Sequence, residues 1–386
     1  MARVVFSGTT VDTTGNQAVY VRGRYRRTLD APGTYEHELY FLSRTAYQAA
    51  LTTLTTTRRL TFQTGLDVGG KVSWSPTQTQ VLISYKGDAA SANMGSQCYT
   101  LTLLCGDLLS AARIRSRTRA WTGGPDVILS GVGSEIGFTP NIEASSSAAI
   151  TLLQCGVTDL DFIKRVVLDY YVDQLASDTA FAAHGDVLLA GSTGWTGWPA
   201  YSLSYPGSGA SDLEHQDHGG ENPGTALVLG INYNPLTGVV KQATGSASTI
   251  TVLANTTLPG DPDSILEEGS HTAASANRSG WWSLLRADAA LTQVGTMITV
   301  TGPDWILPGA LLTLATGSTT DPMNGTYQVA GVVTEIRGGE AKSRLQMRRA
   351  QLNASTGTAT GVPPAASQGS ASLGTGGATI PIKPVG

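Results

Sequence analysis

Four arginines occupy alternate positions, Arg113, Arg115, Arg117 and Arg119, in "ARIRSRTRAW". On a β-strand their guanidinium groups share one face. Like charges in such a row repel unless something anionic lies opposite. Two readings follow. The stripe is a positive surface that meets an acidic partner or lines a lumen through which nucleic acid passes, or it is a strand face balanced by acids of the same chain. A second cluster, "DLEHQDHGGEN", gathers Asp212, Glu214, His215, Asp217, His218 and Glu221. His-x-x-His beside acids can bind a metal, but zinc geometry is held by helices or tight knuckles. This stretch reads as a Gly-rich polar loop, so no metal and no cofactor is expected. His184 and His271 stand alone. The sequence holds no GxSxG elbow, HExxH or P-loop, and no GxGxxG after a strand. Glu267 and Glu268 are adjacent and point apart. The expected role is non-enzymatic.

The cysteines are Cys98, Cys105 and Cys155. An odd count at wide spacing is not a disulfide framework, and three thiols fall short of a four-cysteine zinc or iron–sulfur site. The odd spacing of Cys98 and Cys105 sends them to opposite faces of a strand. All three are read as small buried hydrophobes in a reducing compartment.

The elements that must position these residues are mostly strands. The chain has 386 residues, 41% hydrophobic and 14% charged, with 46 glycines and a formal net charge of −4. Charge is well below the roughly 25% usual in soluble domains, which points to surface covered by partners. Nothing reaches the roughly 20 apolar residues of a membrane helix. "MARVVFSGTTV" has no apolar core of signal-peptide length, so synthesis in the cytoplasm without export is expected. Short β-rich runs fill residues 3–132, separated by turns such as "TTGN", "DAPG" and "DVGG". One helix is predicted at "SRTAYQAALTTL", with Ser43 as N-cap. A second is predicted in "VTDLDFIKRVVLDYYVDQLASD": Thr158 caps it, Asp159 and Asp161 suit the dipole, and Phe162, Ile163, Val166, Val167 and Tyr170 form the apolar stripe. A third is predicted from Trp281 to about Thr292. Beyond Ala350 the chain is low-complexity and nearly uncharged. Its "ATIPIKPV" could add a strand to another subunit's sheet edge.

Two stretches carry a family resemblance. "GVTDLDFIKRVVLDYYV" resembles the helix that opens the insertion after the first β-domain of phage baseplate hub proteins and type VI secretion spike proteins. "WILPGALLTLATGSTTDPMNGTYQVAGVVTEIRGGEAKSRLQMRR" resembles the close of the second β-barrel in the same proteins. Its last hairpin would put Leu345 and Met347, with Tyr327 and Val329 opposite, in the core. Arg348 and Arg349 would mark the barrel edge. The resemblance implies a mainly β fold with a small α/β insertion. The domains would be a first barrel at 1–132, a helix-containing insertion at 133–230, a second barrel at 231–350, and a tail at 351–386. It also implies a homotrimer that adapts a hexameric tail tube to a threefold spike or tip, with distal tail proteins as neighbours and DNA passing through the lumen. On this reading Arg113, Arg115, Arg117, Arg119, Arg348 and Arg349 are interface candidates. A competing reading is a receptor-binding tip protein whose aromatics between Trp195 and Tyr205 stack on sugars.

Overall fold

The computed structural model describes residues 2–8, 18–68, 71–74, 77–91, 97–145, 149–171, 175, 179–205, 210–215, 226–234, 239–246, 264–268, 293–299, 306–317, 324–337, 340–349 and 380–381. The predicted helix at Trp281 lies outside them. The first strands are β1 (Ala2–Gly8), β2 (Ala18–Thr28), β3 (Thr34–Phe41), β4 (Arg59–Val68), β5 (Lys71–Trp74), β6 (Gln78–Ser91) and β7 (Gln97–Gly106). Helix α1 (Arg44–Thr56) separates β3 from β4. Its N-cap is Ser43, whose hydroxyl accepts the Ala46 N–H at 3.1 Å, and Tyr47, Ala50 and Leu54 form its buried face.

Next come α2 (Leu108–Ala112), β8 (Ser116–Gly123), α3 (Pro125–Ile136), β9 (Thr139–Ile142), β10 (Ile150–Thr158), α4 (Asp159–Arg165), β11 (Thr179–His184) and β12 (Val187–Ser192). The remaining strands are β13 (Ala200–Ser204), β14 (Ala210–His215), β15 (Ala226–Asn234), β16 (Val239–Ser246), β17 (Ser264–Glu268), β18 (Gln293–Thr299), β19 (Leu311–Ala315), β20 (Gly325–Arg337), β21 (Glu340–Arg349) and β22 (Ile380–Pro381). The fold is mainly β with a small mixed insertion, as expected. Helix α3 runs across residue 132, the expected end of the first barrel. Pro125 at its first turn and Gly137 at φ +114 after its end are the usual start and stop devices. The stretch "DLEHQDHGGEN" is not wholly loop, because its first four residues belong to β14.

Helix α4 begins where predicted, with the Thr158 hydroxyl accepting the Asp161 N–H at 3.1 Å. It then widens into a π-helical turn, Val166–Tyr171. That added width changes the buried stripe. Phe162, Ile163, Val166 and Val167 are buried as expected, but Tyr171 and not Tyr170 completes the set.

One compact unit, Met1–Gln174 with Thr179–His215 and Val294–Arg348, carries a thirteen-stranded sheet. Its main path is β1-β4-β6-β7-β3-β2-β20-β21-β18-β14, with β5 on β4 and β19 bridging β20 to β13. The insertion adds the ribbon β8–β10 and the sheet β11-β12-β9. A second unit, built mainly from Gln216–Gln293 and Arg349–Gly386, holds the sheet β17-β15-β16-β22.

The hairpin β20–β21 serves two cores. Residues 325–328 of β20 pair with β19, and residues 331–337 pair with β2. Its buried positions run Tyr327, Gln328, Val329, Gly331 and Val332, then Thr334 and Ile336, so both faces are covered up to Val332 and one face beyond it. Ile336 and Ala341 join the first core, with Tyr25, Tyr35, Leu39, Phe41, Leu101 and Leu103. Tyr327, Val329, Val332, Leu345 and Met347 join the second, with Leu203, Ile306, Leu312 and Leu314. The expected core residues of the hairpin are all fully buried.

Several buried polar side chains of these cores bond to one another. His37 is fully buried. Its Nε2–H donates to Gln80 Oε1 at 2.8 Å, and its Nδ1 accepts the Tyr20 hydroxyl at 3.0 Å. The buried Arg27 guanidinium donates to Thr334 Oγ1 at 3.1 Å, and Thr334 meets Ser343 at 3.0 Å, which links β2, β20 and β21. Cys105 lies in the first core, where burial pushes its thiol up to about 12. Asp107 caps α2 and also accepts the Gly33 N–H at 2.6 Å. Burial pushes its carboxyl up to about 7, against the pull of these hydrogen bonds and of Arg27.

A raised carboxyl stabilises the fold fully below its ordinary value of 3.8, and that contribution is lost as the pH rises through about 7. The stability of Asp107→Asn relative to the native chain is therefore expected to rise between those two values in urea titrations. Leu345→Ala is expected to cost about 2–5 kcal/mol, whereas the exposed Lys342→Ala stays within about 0.5 kcal/mol. Urea midpoints of the two variants test this.

Candidate functional site

The arginine row is not one strand. Arg113 follows α2 as its C-cap and is exposed, and Arg115 precedes β8. Arg117 and Arg119 lie on β8, on the face that turns inward. The alternation nevertheless holds from residue 114 onward: Ile114, Ser116, Thr118, Ala120 and Thr122 are exposed, and Arg115, Arg117, Arg119 and Trp121 are half-buried.

The three inward arginines converge on two acids. Arg115 reaches the Glu135 carbonyl at 2.7 Å and its carboxylate at 3.2 Å. Arg117 also pairs with that carboxylate, and Arg119 grips it through both terminal nitrogens at 2.6 and 2.8 Å. Asp159, buried at the start of α4, meets Arg115 Nε at 3.1 Å and Arg117 Nε at 3.8 Å. Its other oxygen accepts Gln154 Nε2 at 2.8 Å. Gln154 Oε1 in turn accepts the Trp121 indole N–H at 3.1 Å, and the Arg119 guanidinium stacks 3.7 Å over the Trp121 ring. The ring of contacts ties α3, α4, β8 and β10 together. Hydrogen bonds and charge from Arg119 and Arg117 hold the Glu135 carboxyl below its ordinary value. Three cations against two anions leave one positive charge in excess, and Arg113 adds an exposed second.

The other candidates sit elsewhere. Arg348 donates from Nε and Nη2 to the buried Gln328 Oε1, at 3.0 and 2.6 Å, across the closing hairpin. Arg349 ends β21, and its side chain lies outside the described residues. A second arginine row was overlooked in "VRGRYRR". Arg22, Arg24 and Arg26 lie on the outer face of β2, with Glu38 and Glu36 opposite Arg22 and Arg24 on β3 and Glu335 3.7 Å from Arg24. The alternate spacing was present, but interleaved apolar residues and Arg27 hid it.

Two expectations change. Cys155 is exposed, because it lies on the outward face of the β8–β10 ribbon beside a bulge at Gly156. Trp198 is buried, and its indole N–H donates to the Ser192 carbonyl at 2.8 Å. Gly309 makes room for that indole, since a Cβ there would come within 2.4 Å of the ring. Trp195, Tyr201 and Tyr205 are half-buried and pack on cores, so much of the aromatic surface of this stretch is spent on packing. His184 is half-buried, its Nε2–H donates to the Pro308 carbonyl at 2.5 Å, and desolvation pulls its pKa down to about 4. Among the described residues, no group of His, Cys, Asp and Glu could hold a metal ion. His218 lies outside them.

No protein-family model and no curated protein sequence matches the chain. Solved structures do. A 43 kDa tail protein of prophage MuSo2 from Shewanella oneidensis aligns over 91% of this chain and 97% of its own, at 11% identity and a TM-score of 0.57. A tail protein from Neisseria meningitidis aligns over 90% and 96%, at 9% identity and a TM-score of 0.58. The Francisella PdpA–VgrG complex matches over 92% of this chain and 59% of the other, at 7% identity and a TM-score of 0.50. The chain has the fold of these phage and prophage tail proteins.

Asp159→Ala leaves Arg115 and Arg117 without a buried counter-charge and is expected to cost about 3–5 kcal/mol, read from urea midpoints. Glu135 is a depressed carboxyl, so its contribution is present above the ordinary glutamate value of 4.5 and is lost as the pH falls below it. The stability gap between the native chain and Glu135→Gln is expected to stay constant above that value and to close in acid.

Proposed function

We propose that this chain is a structural hub of a phage or phage-like tail. It acts as a homotrimeric adaptor between a hexameric tail tube and a threefold spike or tip, and it is located in the virion at the baseplate. The observation that carries the reading is the alignment with two phage tail proteins over nine-tenths or more of both chains. Low charge and the absence of a catalytic motif in the sequence support a mechanical role over an enzymatic one.

The interface candidates enter with different weights. Arg113 is exposed and is proposed to meet an acidic neighbour. Arg115, Arg117 and Arg119 are largely satisfied by Glu135 and Asp159. They are proposed to brace the ribbon that presents such a contact and to lend it their excess charge. Arg348 and Arg349 are proposed to lie at a subunit boundary, and the β2 arginine row is a further candidate for a lumen through which DNA passes.

Light scattering of the purified protein is expected to give three times the 40.1 kDa chain mass. A monomer that also fails to sediment with purified tail tubes would overturn the reading.

A further inference from the structure

In the second unit, β16 pairs with β15 on one side along its whole length, Val239–Ser246. On the other side only Val239 and Val240 are used, opposite Pro381 and Ile380 of β22. The rest of that edge carries no partner strand among the described residues. Proline lacks the donor that an interior strand needs, so Pro381 fits an outermost strand. The chain that joins β21 to β22 is residues 350–379, thirty residues without a charged side chain. Thirty residues can span at most roughly 100 Å.

We propose that β22 is exchanged between copies: the strand at Ile380–Pro381 of one chain seats on the β16 edge of the next, and each copy both gives and receives it. Four observations support this. The edge accepts this segment, as the antiparallel register shows. The identical edge exists on every copy, so exchange keeps each contact that the strand makes within its own chain. The connection is long enough to reach a neighbour, and its lack of charge gives no repulsion to hold neighbouring arms apart. Finally, two residue pairs are a small return for closing a loop of more than a hundred residues between β16 and β22 within one chain. In an assembly already held by other contacts, the same two pairs act at high effective concentration. The exchange therefore rests on the oligomeric reading above. It makes the tail a clasp between subunits.

The register supplies the test. Val240 and Ile380 are directly opposed, and opposed residues in antiparallel strands lie about 4.5–5.5 Å apart between Cα atoms, within disulfide range. Two differently tagged full-length chains, one carrying Val240→Cys and the other Ile380→Cys, both with the exposed Cys155→Ser, are co-expressed and mildly oxidised. The expected product is a covalent two-chain species bearing both tags, absent from a control without the introduced cysteines. The double variant in one chain, Val240→Cys with Ile380→Cys, is oxidised in parallel, and solution mass is recorded for each sample. A disulfide that forms only within the double variant, in a protein that is still oligomeric, overturns the exchange and leaves the hub reading standing. No disulfide in either sample overturns the seat itself. A monomeric mass throughout overturns the hub reading, and the exchange falls with it.

Discussion

The hairpin β20–β21 is the constraint on which the main sheet depends. One edge of β20 is divided between β19 and β2, and its inward side chains are divided between two cores. The strand can do this because both of its faces are buried up to Val332, while beyond it only the face of Thr334 and Ile336 is. The edge passes from β19 to β2 at Ala330–Gly331, where a residue without a side chain follows one with a single methyl. The polar chain Arg27–Thr334–Ser343 then fixes the lateral position of the hairpin against β2. An apolar contact alone would tolerate sliding. A buried guanidinium bonded to a single hydroxyl tolerates much less.

The insertion is held to this frame by short polar ties. Asp30, a non-glycine residue at φ +58, exchanges backbone and side-chain hydrogen bonds with Phe181 on β11. Asp186 accepts both the backbone N–H and the hydroxyl of Thr79 on β6. Within the insertion, the arginine cluster adds to the apolar contact of Trp121 with Phe162 under the β8–β10 ribbon. A two-stranded ribbon is marginal by itself, and here charge pairing on its inner face leaves its outer face uncharged and open.

Much of this was legible in the residues. Ser43 and Thr158 announced their helices because a cap is a local event, decided within three residues. Tyr327, Val329, Leu345 and Met347 announced the hairpin core by alternation. What the sequence did not disclose is non-local. Arg27 and Thr334 are 307 positions apart, and nothing near either one names the other. Glu135 lies 16 to 20 positions from the arginines it neutralises, on a helix that was missed although Pro125 and Gly137 punctuate it. Gly131 and Gly133 within that helix obscured it. They are tight against Trp121 and Leu188, so packing outweighs their poor helix propensity. Tyr171 replaced Tyr170 because a π-turn cannot be read from a 3.6-residue period. The aromatics after Trp195 looked like a binding platform because composition cannot tell a ring that faces solvent from one that fills a core.

The division of the hairpin between two cores also limits how such a gene can be shuffled. If the last third of the chain closed a barrel of its own, it could be exchanged between relatives as a module. Here a transplanted hairpin would bring Ile336 and Ala341 into a foreign first core and would have to place a hydroxyl opposite a foreign Arg27. Recombination breakpoints between the strands of the first core and this hairpin should therefore be selected against, and the two segments, distant in the gene, should be inherited together.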